Sequence, residues 1–359
     1  MERKSSKKKN AIRAGIFVVV AALLLFYLNS VFNIADSDSN KQIFNAFYAE
    51  EENTIDAIYF GTSASNRYFI GPEAYQETGA TIFTLATMGM PLFFIPTLMD
   101  EVEKTQSPQL YIIELRWVLK TKDMITDAHI RRVTDSMKYS SNRSQAIEDA
   151  LEFTEGAEGE LSNIEEPLDY YIPIIKYHSR LETGDLTPGD VFLANSKNET
   201  KGYVTSPKTL KQVSQKEGVY SEERSALSPE AEEALVELLD YCDGLDQEIL
   251  FVLSPYSVKD GQMGKFNTAM DMVRQRGYEV VNFNTEAMVE ELGLDWETDF
   301  YNSKHVNYLG AQKYTDYLTE YIAANYDLPD HRGEEGYESW EEAYQYYLDF
   351  VADGIQETE

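Results

Sequence analysis

The chain opens with its longest apolar run and then changes to short alternating segments. Residues 14–28 carry no charged side chain, and apolar residues continue to residue 35 with few interruptions. A membrane helix needs about 17–25 mostly apolar residues, so residues 14–35 are predicted to form one transmembrane helix after a basic head at residues 1–13. The polar, acidic residues 36–53 are predicted to be a linker that contains a short helix.

From residue 54 onward, short apolar runs alternate with amphipathic stretches. Strands are predicted at residues 55–60, 81–85, 109–115, 248–253 and 279–283, and helices at residues 92–104, 231–242, 262–276, 285–292 and 310–324. The run at 109–115 is nearly all apolar, as expected for a strand buried on both faces of a parallel sheet. The pattern therefore predicts an α/β domain over residues 54–325 with a doubly wound parallel sheet.

Two regions depart from this alternation. Residues 120–223 contain Ser/Asn-rich and Glu/Gly-rich pieces and clustered tyrosines, which predicts a mostly helical insertion that shapes a substrate site or a partner surface. Residues 326–359 form an acidic tail with apolar residues at helical spacing from Trp340 to Val351. We expect a terminal helix packed on the domain, and a docking helix for a membrane partner is the alternative.

Charge predicts the orientation of the chain. The net charge is −31, yet residues 1–13 hold six basic residues and one glutamate. The positive-inside rule places this head in the cytoplasm and the acidic domain outside a cell membrane crossed once. A cleaved signal peptide is the alternative. Because so acidic a domain repels nucleic acid, no nucleic-acid partner is expected.

The single cysteine, Cys242, excludes an internal disulfide. It lies at helical spacing among apolar residues, so we interpret it as a buried structural thiol. An extracytoplasmic domain without disulfides is more typical of a bacterial cell envelope than of a eukaryotic secretory protein. No metal-ligand spacing or phosphate-binding loop is present, and no cofactor or metal is expected.

Two residues near opposite ends of the α/β domain are the best candidates for chemistry. Ser63 follows the first predicted strand, and His305 precedes the last predicted helix. Ligands of parallel α/β sheets bind beyond the carboxyl ends of the strands, and a serine hydroxyl needs a base within hydrogen-bond reach to act as a nucleophile. We therefore expect Ser63 and His305 to meet at this edge. An ordinary turn that caps a helix is the alternative for Gly61-Thr62-Ser63.

Three sequence blocks resemble the SGNH/GDSL hydrolase superfamily. Gly61-Thr62-Ser63 is similar to its Gly-Asp-Ser or Gly-Thr-Ser block, the segment 85–91 to its glycine block, and the segment 302–311 to its Asp-x-x-His element with the following helix start. The resemblance covers about residues 53–325, with specific matches at the two ends. It is strongest to the membrane-anchored branch that includes the D-alanyl-lipoteichoic-acid transfer protein and the alginate O-acetylation proteins.

The resemblance implies a flavodoxin-like SGNH fold with defined residue roles. Ser63 would be the nucleophile and His305 the base, and the amides of Ser63 and Gly89 would form the oxyanion hole. The position of the family's acid holds Asn302, with Asp299 or Glu114 as alternative acids.

The family's Gly-x-Asn-Asp block is absent, and residues 114–117 take its place. There we expect Arg116 to bind an anionic substrate or a developing oxyanion. A local structural ion-pair cluster of Glu114 and Arg116 is the alternative.

These features together predict an extracytoplasmic serine acyl-ester enzyme. Its substrate would be a cell-surface polysaccharide or a teichoic polymer, and it would act as an O-acyltransferase or an O-acyl esterase. The alternative is a non-catalytic accessory scaffold for a membrane-bound O-acyltransferase, because Asn302 and the missing block weaken the catalytic interpretation.

A second basic segment, residues 129–132, is expected to pair with nearby acidic residues rather than to bind a polymer.

Overall fold

A computed structural model describes residues 2–34, 38–161, 167–187, 189–190, 196–205 and 213–358. Five parallel strands form one sheet in the order β2-β1-β3-β4-β5. They are β1 (Ala57–Gly61), β2 (Ile82–Ala86), β3 (Leu110–Glu114), β4 (Glu248–Leu253) and β5 (Glu279–Asn282). A separate antiparallel pair consists of β6 (Phe300–Asn302) and β7 (His305–Val306).

The helices before the insertion and within it are α1 (Glu2–Phe32), α2 (Asp38–Phe47), α3 (Ser63–Asn66), α4 (Gly71–Thr78), α5 (Ile95–Val102), α6 (Asp127–Thr134), α7 (Ser141–Phe153), α8 (Leu168–Tyr171), α9 (Ile174–Tyr177) and α10 (Arg180–Thr183). Those after it are α11 (Pro229–Cys242), α12 (Met263–Gln275), α13 (Glu286–Glu291), α14 (Tyr308–Asn325) and α15 (Glu338–Thr358). Short 3₁₀ helices lie at Leu92–Phe94 and Lys122–Met124.

Both faces of the sheet are buried. Side chains alternate along each strand, so Phe60 and Ile113 enter one core while Tyr59 and Ile112 enter the other. Helices α2, α5, α11 and α12 cover the first face, and α3, α13 and α14 cover the second. The α/β class and the parallel sheet are therefore confirmed, and the arrangement is compatible with a doubly wound fold.

The predicted strands agree with the structure to within two residues at each end, and the strand at 248–253 is the same. Three elements were not predicted: α3, α4 and the β6–β7 pair. Each is short or lies in a polar loop, so no helical or strand periodicity develops in the sequence.

The prediction of a linker at residues 36–53 needs correction. The short helix is present as α2, but Ile43, Phe44 and Phe47 are fully buried in the first core. The polar composition of the segment concealed these three apolar residues, which share one helical face. Residues 38–47 are therefore part of the folded domain and not a free connection.

Helix α1 contains the membrane-span candidate. Residues Lys8–Phe32 are long and apolar enough to cross a membrane. Apolar side chains such as Phe17, Val19 and Leu24 are exposed, whereas Val31 and Phe32 are buried against the domain. The predicted span of 14–35 agrees with this helix up to Phe32, and residue 35 lies outside the described residues.

The insertion is helical in its first part, from α6 to α10. Its later part returns to the sheet, where the amide of Thr84 donates to the carbonyl of Lys201 at 3.1 Å. In the tail, α15 buries Trp340 and Tyr347, so the expected packed terminal helix is confirmed. Cys242 is buried on α11, as expected.

Candidate active site

A tight turn after β1 places Ser63 at the carboxyl edge of the sheet. Thr62 caps α3, since its hydroxyl accepts a hydrogen bond from the amide of Ala64 at 3.1 Å. Glycine is required at position 61, because a Cβ there would lie 2.7 Å from the Cβ of Glu114. Ser63 is the first residue of α3 and is partly exposed.

The β6–β7 pair brings His305 to the same place. Its Nε2 lies 2.8 Å from the hydroxyl oxygen of Ser63. Its Nδ1 lies 3.1 Å from Oδ1 of Asn302, the residue paired with His305 across the two strands. The expectation that Ser63 and His305 meet at the carboxyl edge is thus confirmed, and the site adjoins β1 and β3, where the strand order reverses.

The environment of Asn302 fixes the imidazole tautomer. The backbone amide of Lys304 donates to Oδ1 of Asn302 at 2.8 Å, and an amide N–H can only donate, so this atom is the oxygen. The oxygen must then accept the proton of Nδ1 from His305. The lone pair of Nε2 consequently faces the hydroxyl of Ser63, which is the arrangement that a general base requires.

The surroundings of His305 disfavour protonation of its ring. Burial, together with the cations Arg116, Arg67 and Lys304, lowers the pKa of His305 to about 2. The ring is therefore neutral at physiological pH and free to accept a proton. Formation of an imidazolium would be costly there, because the ring's partner is the amide of Asn302 and not a carboxylate.

The two alternative acids make other contacts. Asp299 accepts a hydrogen bond from Nζ of Lys313 at 2.7 Å and another from the hydroxyl of Thr298 at 3.0 Å. Glu114 accepts from the hydroxyl of Tyr59 at 3.1 Å and from the amide of Ser254 at 3.2 Å. Among the described residues, the hydrogen bonds of the His305 ring go to Ser63 and Asn302. Asn302 therefore occupies the third position of the constellation.

Glu114 is buried beneath the site and has a structural role. Burial raises its pKa to about 7, against the opposing effect of Arg116 and of its hydrogen bonds to Ser254. Its carboxylate accepts hydrogen bonds from the backbone amides of Ser254 and Arg116, and these bonds connect the end of β3 to the end of β4.

Arg116 holds the loop that carries His305. Its guanidinium donates to the carbonyl of Lys304 at 2.6 Å and to the hydroxyl of Tyr68 at 3.1 Å, and it lies 4.0 Å from the ring centroid of Tyr256. The hydroxyl of Tyr68 also lies 2.9 Å from the same carbonyl. These contacts fix the residue before His305. The substrate-binding role of Arg116 stays a prediction, and the geometry adds a positioning role.

Gly89 lies in the loop after β2, the strand beside β1. Its φ of +74° is in the left-handed region, and a Cβ would lie 2.6 Å from the indole of Trp117. Both conformation and packing therefore require glycine at this position. The contribution of its amide to an oxyanion hole stays a prediction.

Arg67 is a site residue that the sequence pattern did not identify. It follows Ser63 by four residues, so one turn of α3 brings it to the same side. Its Nη1 is buried and has no hydrogen-bond partner within the described ranges. Its guanidinium carbon lies 5.9 Å from the ring centroid of Tyr301, and that ring stacks on His305 at 6.0 Å. A spacing of four residues from Ser63 brings two side chains together only in a helix, and the sequence did not predict helix α3.

Further cations border the site. The loop after β4 meets the β6–β7 turn, where the amide of Ser257 donates to the carbonyl of Ser303 at 3.1 Å. Burial and the nearby Lys304 and Lys259 lower the pKa of Lys120. Arg67, Arg116 and Lys304 act on His305 directly, and Lys120 and Lys259 lie beyond them, beside Lys304. We name these five cations the basic rim.

The second basic segment is structural. Arg131 forms ion pairs with Asp127 at 2.9 Å, Asp169 at 2.8 Å and Asp135 at 3.5 Å. Arg132 donates to the carbonyl of Met88 at 2.7 Å. The expected pairing with nearby acidic residues is confirmed for Arg131.

No model of a known protein family matches the chain, and no curated protein matches it. The chemistry of the site is therefore inferred from the contacts of Ser63, His305 and Asn302 and from the charges around them.

Proposed function

We propose that the protein is a serine acyl-ester enzyme of the SGNH type that acts on an anionic polymer of the cell envelope. The observation that carries this proposal is the chain of contacts from Ser63 to His305 to Asn302, with Nε2 of His305 at 2.8 Å from the hydroxyl of Ser63. A base oriented by a third residue is the usual way in which a serine hydroxyl is activated.

The reaction would proceed by acyl transfer through Ser63. The hydroxyl oxygen of Ser63 attacks the ester carbonyl carbon while Nε2 of His305 takes its proton. The amides of Ser63 and Gly89 would stabilise the tetrahedral oxyanion. Collapse expels the alcohol, which leaves with the proton from His305, and the acyl group stays on Ser63. A sugar hydroxyl or water then attacks this intermediate while His305 takes its proton. The bond between the acyl group and Ser63 breaks, the Ser63 oxygen takes the proton back from His305, and the product is a new ester or a free acid.

The basic rim favours an anionic polymer over a neutral one. The chain as a whole has a net charge of −31, so a group of cations beside Ser63 runs against its general character. The buried Nη1 of Arg67 lacks a partner among the residues described, and such a group is costly unless a ligand accepts its hydrogen bond. A phosphate or carboxylate next to the ester would supply that acceptor. Teichoic polymers and acidic polysaccharides both carry such groups.

Helix α1 supports a location at the cell membrane. Its apolar stretch is long enough to span a bilayer, and basic residues precede it. With the head in the cytoplasm, the domain would face the envelope, where polymer acylation takes place. A membrane-bound O-acyltransferase would be a natural partner, because an activated acyl group has to reach the outer face.

A non-catalytic accessory role is the second candidate. The observation that favours it is the environment of His305, which has three cations near the ring and an amide in place of a carboxylate. In this case the cleft would bind a polymer or an acyl carrier without forming a covalent intermediate.

Hydrolysis of p-nitrophenyl acetate and acyl transfer to an acidic oligosaccharide separate these candidates. The full chain in detergent should release p-nitrophenol, and Ser63→Ala should reduce turnover by about 10³-fold or more. Thr62→Ser is a suitable control, because a serine there can still cap α3. Equal rates for wild type and Ser63→Ala, or no rate above buffer for either, would favour the accessory role.

A further inference from the structure

The outer end of α1 is built into the domain. Oδ1 of Asn29 accepts a hydrogen bond from the amide of Ile174 at 2.8 Å, and the amide of the same side chain donates to the hydroxyl of Tyr139. Nδ2 of Asn33 donates to the carbonyl of Asp135 at 2.7 Å. These contacts join the end of α1 and the residue after it to α9 and to the segment between α6 and α7.

The last carbonyl groups of α1 also have partners in the domain. Nζ of Lys41 donates to the carbonyl of Ser30 at 2.8 Å, and Nη1 of Arg180 donates to the carbonyl of Phe32 at 3.0 Å. Helix ends normally leave their last carbonyls to solvent or to capping groups. Because α2 and α10 supply those groups here, the orientation of α1 relative to the domain is fixed.

The length of α1 places this joint at a bilayer surface. A hydrocarbon core of about 30 Å takes about 20 helical residues. Counted from Arg13, the last basic residue of the head, a span of about 17–20 residues ends between Ser30 and Asn33. The ring of Tyr139 lies 5.5 Å from that of Phe26, and Ile174 is bonded to Asn29. Both residues of the insertion therefore lie at the depth of the outer boundary.

The insertion exposes large apolar side chains beside this joint. The exposed fractions are 47% for Tyr139, 54% for Leu168, 43% for Ile172, 37% for Ile175 and 64% for Leu181. We name these five residues the apolar seat. Helices α8 and α9 each bury a tyrosine on another side, as Tyr170 and Tyr177 are nearly inaccessible. Exposed apolar side chains gathered beside a membrane span are candidates for contact with the bilayer.

We propose that the apolar seat rests in the outer leaflet of the bilayer, between the lipid headgroups, and holds the domain in a fixed orientation on the membrane. The inference rests on α1 being a retained membrane span, and it does not depend on the chemistry of Ser63. Lipid is the occupant because the seat lies beside the outer end of the span, where the ring of Tyr139 contacts Phe26 and Ile174 and Arg180 bond to Asn29 and Phe32. A tyrosine at this depth is also typical of the membrane interface.

Spin labelling of the full chain in lipid vesicles tests this arrangement. Cys242→Ala would serve as the background, with vesicles of phosphatidylcholine and phosphatidylglycerol. Labels at Ile172→Cys and Leu181→Cys probe the seat, and Val19→Cys reports on the span. Gln275→Cys is the control, since it lies on α12 beside β5, at the sheet edge opposite β2. Relaxation by oxygen, which concentrates in lipid, is compared with relaxation by a water-soluble nickel complex.

The seat labels should favour oxygen over nickel, as the Val19 label does, while the Gln275 label favours nickel. Seat labels that respond like the Gln275 label, with the Val19 label in lipid, would overturn the seat but keep the span. A Val19 label in water would overturn both. Seat labels shielded from both reagents would indicate protein contact in place of lipid, and would also overturn the proposal.

Discussion

The two arginine-rich regions of the domain differ in how their charges are compensated. Arg131 is 1% exposed and forms ion pairs with Asp127, Asp135 and Asp169, and its guanidinium also lies 4.3 Å from the ring centroid of Tyr170. Nη2 of Arg131 makes no hydrogen bond of regular geometry, but it lies 2.8 Å from the carboxylate of Asp169. Arg67, one helical turn from Ser63, has a buried Nη1 without a hydrogen-bond partner and forms no ion pair within the described part of the chain.

The difference separates an architectural charge from a functional one. When a buried cation is surrounded by carboxylates, its ion pairs offset the free-energy cost of desolvation, so it needs no ligand. A buried guanidinium nitrogen that lacks an acceptor weakens the fold slightly and gains energy when an anion binds. The cluster around Arg131 should therefore contribute to the stability of the fold, and the basic rim should contribute to substrate binding.

Removal of Arg131 should give the larger effect. Arg131→Met leaves Asp135 with one fewer cation in a buried position, and loss of one partner from a buried pair costs about 3–5 kcal/mol. Urea unfolding of the full chain in detergent, followed by circular dichroism, would measure this loss. Arg67→Met is the matched control and should change the free energy of unfolding by less than about 1 kcal/mol. Equal losses for the two variants would remove the distinction drawn here.

Arg67→Met should instead weaken binding of an anionic substrate. A charge-assisted hydrogen bond is worth about 1.5–3 kcal/mol, so KM for a carboxylated or phosphorylated ester should rise about 10- to 100-fold. KM for uncharged p-nitrophenyl acetate should stay nearly the same. A similar rise in KM for both esters would show that Arg67 shapes the site in general and does not recognise an anion.

Asn302→Asp should preserve or raise the turnover rate by several fold. A carboxylate beside Nδ1 would stabilise the imidazolium that forms when Ser63 loses its proton, whereas asparagine only orients the ring. Asn302→Leu is the control that removes both functions and should lower turnover. A loss of activity in Asn302→Asp would show that the amide of Asn302 has another task, such as donating to substrate.

The pH profile should show the smallest but most specific effect. A base must be unprotonated, and burial with three nearby cations lowers the pKa of His305 to about 2. The value of kcat/KM should therefore stay level as the pH falls from 8 through the ordinary histidine pKa of about 6.5. In Asn302→Asp the added carboxylate raises that pKa, so the acidic limb should move upward. A wild-type limb near pH 6.5 would contradict the described charge environment.

Much of the scaffold follows from local pattern. The runs that became β1, β3 and β4 are apolar because both faces of the sheet are covered, and this signal survives in the sequence without any tertiary information. Ser63 and His305 could be placed at one edge for the same reason, because parallel strands bring their carboxyl ends together.

The parts that could not be predicted depend on distant contacts. Arg116 bonds to the carbonyl of Lys304, far away in the chain, and no spacing reveals that pair. Helix α3 has four residues, too few for periodicity, so Arg67 could not be placed beside Ser63. The core face of α2 is different, because Ile43, Phe44 and Phe47 already share one face of a ten-residue helix, and only the polar composition of the segment favoured a linker.

If Ser63 carries the acyl group during turnover, mass spectrometry of the trapped enzyme should detect it there. The full chain would be mixed with p-nitrophenyl acetate, quenched in acid within milliseconds to seconds and digested. We expect a mass gain of one acetyl group on the peptide that contains Ser63, reduced to background in Ser63→Ala and present in Thr62→Ser. Turnover by the wild type with no acylated Ser63, or with the acyl group on another residue, would contradict it.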